Sequence, residues 1–228
     1  MIRVVLWDVD NTLLDFHAAE RASIRACFRR FGLGECTDEM LSDYAAINIC
    51  HWEKLERGER TRAEILTDRF REFLSKYGKD PGLAVEFDAA YENGLPDTIV
   101  FFDGAMEVLQ SLRGRVIQCA VTNGTKFVQE RKLARSGMDR IFDHVFISED
   151  VGYEKPDIRY FESVFSAIGD YPREEIMIVG DSLTSDMRGG VNAGIVTCWF
   201  NPGGKENKLQ LPIDHEISAL PQVLTLLG

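Results

Sequence analysis

Ile2-Arg3-Val4-Val5-Leu6-Trp7 is a near-continuous apolar run, followed at once by Asp8-Val9-Asp10-Asn11-Thr12 with its carboxylates at i and i+2. Branched and aromatic side chains at consecutive positions suit a strand covered on both faces, as in the middle of a parallel sheet. Asp8 then stands at the carboxyl end of that strand. Shorter runs of the same kind recur at 116–121, 145–147, 176–179 and 195–199, each preceded by a helix-like segment. Strands alternating with helices predict an α/β fold, a doubly wound, mainly parallel Rossmann-like sheet.

The pattern changes between residues 16 and 98. Helical spacing links Ile24, Phe28 and Phe31, and again Leu41, Tyr44 and Ile47, with no comparable strand signal. Thr61-Arg62-Ala63-Glu64 is a capping-box pattern that opens a helix running through Ile65, Leu66, Phe70, Phe73 and Leu74 toward Gly78. The expected organisation is therefore an α/β core from 1–15 and 99–228 with an all-helical insertion at 16–98. Turn residues in Leu95-Pro96-Asp97 and Phe102-Asp103-Gly104 mark the return to the core.

A chain of 228 residues, 45% hydrophobic and 28% charged, has the balance of a globular protein. No apolar run reaches the roughly 20 residues of a membrane span, and no secretory cleavage pattern follows Met1, so a cytoplasmic protein without a membrane partner is expected. Cys27, Cys36, Cys50, Cys119 and Cys198 are odd in number and form no CxxC pair, which argues against a disulfide framework and against a thiolate zinc site. Thirty-seven acidic against 26 basic side chains give a net charge of -11, which repels a nucleic-acid polymer but permits a small phosphorylated ligand held by local donors and a divalent cation. No feature calls for an obligate protein partner.

Four polar signals end the apolar runs: Asp8-Val9-Asp10-Asn11-Thr12, Thr122-Asn123-Gly124, Lys155-Pro156, and Gly180-Asp181-Ser182 with Asp186 following. Ligands of open α/β sheets bind at that edge. Two carboxylates at i and i+2 can face one metal and one phosphate there, or merely cap a helix and shape a turn. The Thr122 hydroxyl and the Asn123 amide suit a phosphoryl oxygen, although Thr-Asn-Gly is also ordinary turn composition. Lys155, its following backbone fixed by Pro156, can neutralise a phosphoryl group, yet taken without its place among the other signals it reads, like Lys126 and Lys132, as a solvated surface charge. Asp181 repeats the logic of Asp8 as an oxygen donor to a hard cation. Asp186 either caps a helix or holds Lys155 or a metal-bound water.

In order and in strand context these signals resemble the haloacid dehalogenase superfamily, whose motifs are a strand ending in DxDxT, a strand-terminal Thr or Ser, a Lys, and a GD pair followed by a further Asp. The resemblance covers essentially the whole chain. It implies a phosphohydrolase in which Asp8 attacks phosphorus to form an aspartyl-phosphate and Asp10 moves the protons. It further implies Mg²⁺ as cofactor, held by the Asp8 carboxylate, the Asp10 backbone carbonyl and the Asp181 carboxylate, with Thr12 and Asp186 in support. Asp at the position of Asp10 separates phosphatases from the dehalogenase branch.

An insertion at 16–98 corresponds to the helical cap of this superfamily, which closes over small phosphorylated metabolites. The segment from Ala46 to Trp52, Glu56-Arg57-Gly58, and the stretch from Asn192-Ala193-Gly194 to Asn201 resemble the pyrimidine 5′-nucleotidase branch. That resemblance implies a nucleoside monophosphate as substrate, including noncanonical pyrimidines. Asn48 and Trp52, at i and i+4, could meet a base together or belong to ordinary helix packing. A sugar-phosphate or phosphoglycolate phosphatase and a phosphomutase are the alternatives. His17, His51, His144 and His215 lack zinc spacing and read as structural.

Overall fold

The computed structural model describes residues 1–227. The chain divides into two compact units, Met1–Asp15 with Ile99–Gly228, and Phe16–Thr98. The first is built on six parallel strands: β1 (Val4–Trp7), β2 (Ile117–Thr122), β3 (His144–Ile147), β4 (Ile176–Gly180), β5 (Val196–Phe200) and β6 (His215–Ile217). Their order across the sheet is β3-β2-β1-β4-β5-β6. Strand order reverses at β1 and β4, which places the ligand crevice of a doubly wound sheet at the carboxyl ends of those two strands.

Among the described residues the same unit carries five helices of its own. Numbered in chain order after the four of the inserted segment, α1 (Phe16–Arg30), α2 (Asp38–Glu56), α3 (Arg62–Lys76) and α4 (Ala84–Gly94), they are α5 (Ala105–Leu112), α6 (Lys126–Ser136), α7 (Ser148–Val151), α8 (Ile158–Ile168) and α9 (Arg188–Ala193). The unbroken apolar run of β1 is explained by burial on both faces. Val5, Trp7 and Val9 pack with Val108, Leu109 and Leu112 of α5 and Leu133 of α6, while Val4 and Leu6 pack with Tyr160, Phe161 and Val164 of α8. Gly190 lets α9 lie close to the sheet, since a Cβ there would come within 2.7 Å of both Ile178 Cγ2 and Thr197 Cγ2. Gly194, at φ 68°, ends that helix in the left-handed conformation that glycine adopts without strain.

The second unit is wholly helical. α1 packs on α4, α2 on α3 and α3 on α4, around an aromatic core of Phe28, Tyr44, Phe70, Phe73, Phe87 and Tyr91. Thr61 and Glu64 form the reciprocal capping box at the start of α3. Within this core runs a polar chain: Asn48 Nδ2 donates to Glu20 Oε1 at 2.8 Å, Arg69 Nη1 to Asn48 Oδ1 at 2.9 Å, and Arg69 Nη2 to Asp88 Oδ1 at 2.7 Å. Among the described residues no helix is long and apolar enough to cross a membrane.

Candidate active site

β1 delivers Asp8 directly to the sheet edge, because the Asp8 amide still donates to Val179 O of β4 at 2.9 Å and so extends the strand pairing by one residue. The chain then turns tightly: Asn11 takes φ 64°, and the amides of Leu13 and Leu14 donate back to Val9 O at 3.0 and 2.9 Å. That turn brings the Thr12 hydroxyl onto Asp8 Oδ2 at 2.9 Å. On the other side, Lys155 Nζ donates to Asp8 Oδ1 at 2.8 Å, to Asp186 Oδ1 at 2.6 Å and to Val121 O at 2.8 Å. Both oxygens of Asp8 are thereby oriented from separate elements.

The backbone carrying Lys155 is fixed by Asn123, whose Oδ1 accepts from the Lys155 amide and whose Nδ2 donates to the Lys155 carbonyl, each at 2.8 Å. Thr122, the last residue of β2, is buried, and its Oγ1 accepts from the Gly124 amide at 3.1 Å. A hydroxyl that accepts keeps its own proton to donate. Asp181 follows β4, with its carbonyl held by the Trp199 indole N–H at 2.9 Å. Asp186 lies in a π-helical turn, Leu183–Met187, where its Oδ2 accepts from the Ser182 amide at 3.1 Å while Oδ1 receives Lys155. The two oxygens of Asp186 thus take one ammonium and one backbone amide.

Carboxylate oxygens of Asp8, Asp181 and Asp186 lie within 4.8 Å of one another. Crowding and burial work against their charge. Burial, then Asp186 and Asp10, push the Asp8 carboxyl from 3.8 up to about 7 against the pull of Lys155. Burial followed by the charges of Asp8 and Asp186 raises Asp181 well above its ordinary value. Lys155 stays firmly protonated; burial opposes its charge, and Asp186 and Asp8 outweigh it. Three hard oxygen donors that burial and mutual repulsion keep from ionising together, with one ammonium among them, form a donor set that fits a hard divalent cation.

The reading of Lys132 as a surface charge is corrected. Its side chain is 1% exposed and its Nζ lies 2.6 Å from Asp10 Oδ1, while Gln129 Nε2 donates to Asp10 Oδ2 at 2.6 Å. Both come from α6, where Val128, Gln129, Lys132 and Leu133 form one buried face. A lysine and a glutamine falling in register with Val128 and Leu133 were the available signal. Lys126, by contrast, is exposed and paired with Asp150. In the helical unit, Asn48 is buried with its amide spent on Glu20 and Arg69, and Trp52 is half-buried with the Arg62 guanidinium 5.5 Å from its ring centroid.

The model of the haloacid dehalogenase-like hydrolases matches residues 2–194. The HAD-hydrolase YfnB of Bacillus subtilis is 36% identical over 99% of this chain and 95% of its own. Its magnesium-bound crystal form superposes with a TM-score of 0.93 at 35% identity, covering 100% of this chain and 99% of that one. The pyrimidine 5′-nucleotidase PynA of Streptococcus pneumoniae is 33% identical over 99% of this chain and 94% of its own. A glyceraldehyde 3-phosphate phosphatase of Pyrococcus furiosus is 39% identical over 99% of this chain and 93% of its own. With a family match that spans the whole strand-end cluster from Asp8 to Asp186, the chain belongs to the haloacid dehalogenase-like hydrolases.

Proposed function

We propose that this protein is a Mg²⁺-dependent phosphomonoester hydrolase working through an aspartyl-phosphate on Asp8, with pyrimidine nucleoside monophosphates as substrates. The observation that carries the reading is the junction at Lys155 Nζ, which holds Asp8 and Asp186 together beside Asp181 at the switch point of the sheet. The carboxylates of Asp8 and Asp181 and the backbone carbonyl of Asp10 would hold the cation. Once bound, it offsets the repulsion between these carboxylates and a phosphate dianion.

The remaining roles follow from the side chains. Asp8, oriented through both oxygens, attacks phosphorus as the ester oxygen departs, and Asp10 gives that oxygen its proton. Asp10 then takes a proton from water, which attacks the same phosphorus and releases phosphate and free Asp8. Lys155, the Thr122 hydroxyl and the Asn123 amide stabilise charge on the phosphoryl oxygens. The helical unit at 16–98 serves as the cap that selects the substrate. Asn48 already serves that unit's interior, so Trp52 is the residue assigned to the base.

The nucleotidase reading draws on the likeness to PynA, and a sugar-phosphate phosphatase is the second reading because of the likeness to the Pyrococcus enzyme. Phosphate release from a panel of pyrimidine and purine monophosphates, triose and hexose phosphates and phosphoglycolate, each with Mg²⁺, separates them. Preference for pyrimidine monophosphates supports the first. Isomerised product without free phosphate would instead indicate a mutase, and turnover undiminished by chelator would remove the metal from the account.

A further inference from the structure

We infer that Lys132 and Gln129 are positioning residues for Asp10, a clamp on α6 that sets where the proton-carrying carboxylate stands. The inference rests on the role proposed for Asp10 above and adds to it the residues that aim it.

Asp10 lies at the entry of the tight turn that follows β1, bridged to Leu14, and is partly exposed. Its two oxygens are taken from one side, Oδ1 by Lys132 Nζ and Oδ2 by Gln129 Nε2, both at 2.6 Å. Donors at i and i+3 on one helix face meet a carboxylate as a fork, which fixes rotation about its χ angles and the plane of the group. Asp8, two residues away, is held by a different set, Thr12 and Lys155. The adjacent carboxylates are therefore aimed independently.

The clamp is built at a cost that packing alone would not demand. Lys132 is 1% exposed on a helix face shared with Val128 and Leu133, where an aliphatic side chain would serve the core as well. Space for its neighbour is reserved in the chain: a Cβ on Gly124 would fall 2.1 Å from Gln129 Nε2, so glycine at that position lets the amide reach Asp10. Gly124 directly follows Thr122 and Asn123, which ties the clamp to the same strand end that faces the phosphoryl group.

An acid that protonates a leaving oxygen matters greatly for an alkoxide and little for p-nitrophenolate, which departs as an anion. The ratio of kcat/KM for a nucleoside monophosphate to that for p-nitrophenyl phosphate, measured with Mg²⁺, therefore reports on Asp10 rather than on folding. Asp10→Asn should lower that ratio, and Lys132→Met should lower it by about tenfold or more. Lys132→Arg should restore most of it, and Lys132→Met added to Asp10→Asn should lower it no further. Should Lys132→Met not fold, Gln129→Leu carries the same test with a fall of about threefold or more. An unchanged ratio in Lys132→Met or Gln129→Leu, with Asp10→Asn lowered, overturns the clamp. An unchanged ratio in Asp10→Asn itself overturns the reading of Asp10 on which it stands.

Discussion

Lys155 places a full positive charge where 1% of its side chain meets solvent, and three oxygens from three different elements receive it. Removing one partner of a buried ion cluster leaves the others uncompensated, which costs about 3–5 kcal/mol. Lys155→Met is accordingly expected to lose activity and to lower unfolding stability by that order in urea titrations without metal. An unaltered denaturation midpoint would show that Asp8 and Asp186 do not depend on it. Asp8→Asn keeps the shape of the site and removes the attacking charge, so turnover should fall at least about a thousandfold while the fold persists. Residual activity within tenfold of the parent would end the covalent account. Residues of this kind were legible one by one at strand ends. Lys132 was not, because its partner Asp10 lies 122 residues away along the chain.

Elements decide how closely these side chains meet. Gly180 closes β4, and a Cβ there would stand 2.3 Å from Asp186 Oδ2. The π-helical turn that follows, Leu183–Met187, folds Asp186 back over that glycine toward Lys155. Gly180→Ala should therefore push Asp186 away, costing about 1–3 kcal/mol of stability and lowering kcat together with it. Gly203→Ala, where a Cβ meets nothing within 4 Å, is the matched control and should behave as the parent. Equal stability of the two variants would dismiss the close approach as a constraint. Local signals named some elements outright: the Thr61–Glu64 box does open α3, since both halves of a capping box lie within one turn. β6 was not named, because three residues, His215–Ile217, are too few to show a period and its middle residue is an exposed glutamate.

At the scale of the whole molecule, burial has a consequence at alkaline pH. Cys27, Cys119 and Cys198 sit in the two cores, and burial moves their thiols from 9.0 up to about 11, 12 and 12. An acid whose native value is raised gives stability that is complete below its unfolded value and is lost as pH climbs through the native one. Stability should thus hold to about pH 9 and fall beyond it by up to ~1.4 kcal/mol per pH unit for each thiol. Buried Tyr44, Tyr91 and Tyr160, all shifted upward mainly by burial, steepen the fall. Urea unfolding at pH 8, 9 and 10 measures it, and Cys198→Ala should flatten the slope. Stability unchanged between pH 8 and 10 would show that these groups are more accessible than their packing indicates.

Sequence alone determined the class of fold and where along the chain its chemistry gathers. Both depend on nearest neighbours: apolar runs specify buried strands, and a carboxylate, hydroxyl or amide after such a run is carried to the ligand edge of a parallel sheet. Tertiary structure alone decided which groups meet there. Strand order put Asp8 beside Asp181, a π-turn turned Asp186 onto Lys155, and α6 brought Gln129 and Lys132 to Asp10. It also drew Asn48 into the interior of the helical unit. Contacts between distant segments follow from packing, and periodicity within one segment carries no record of what it packs against.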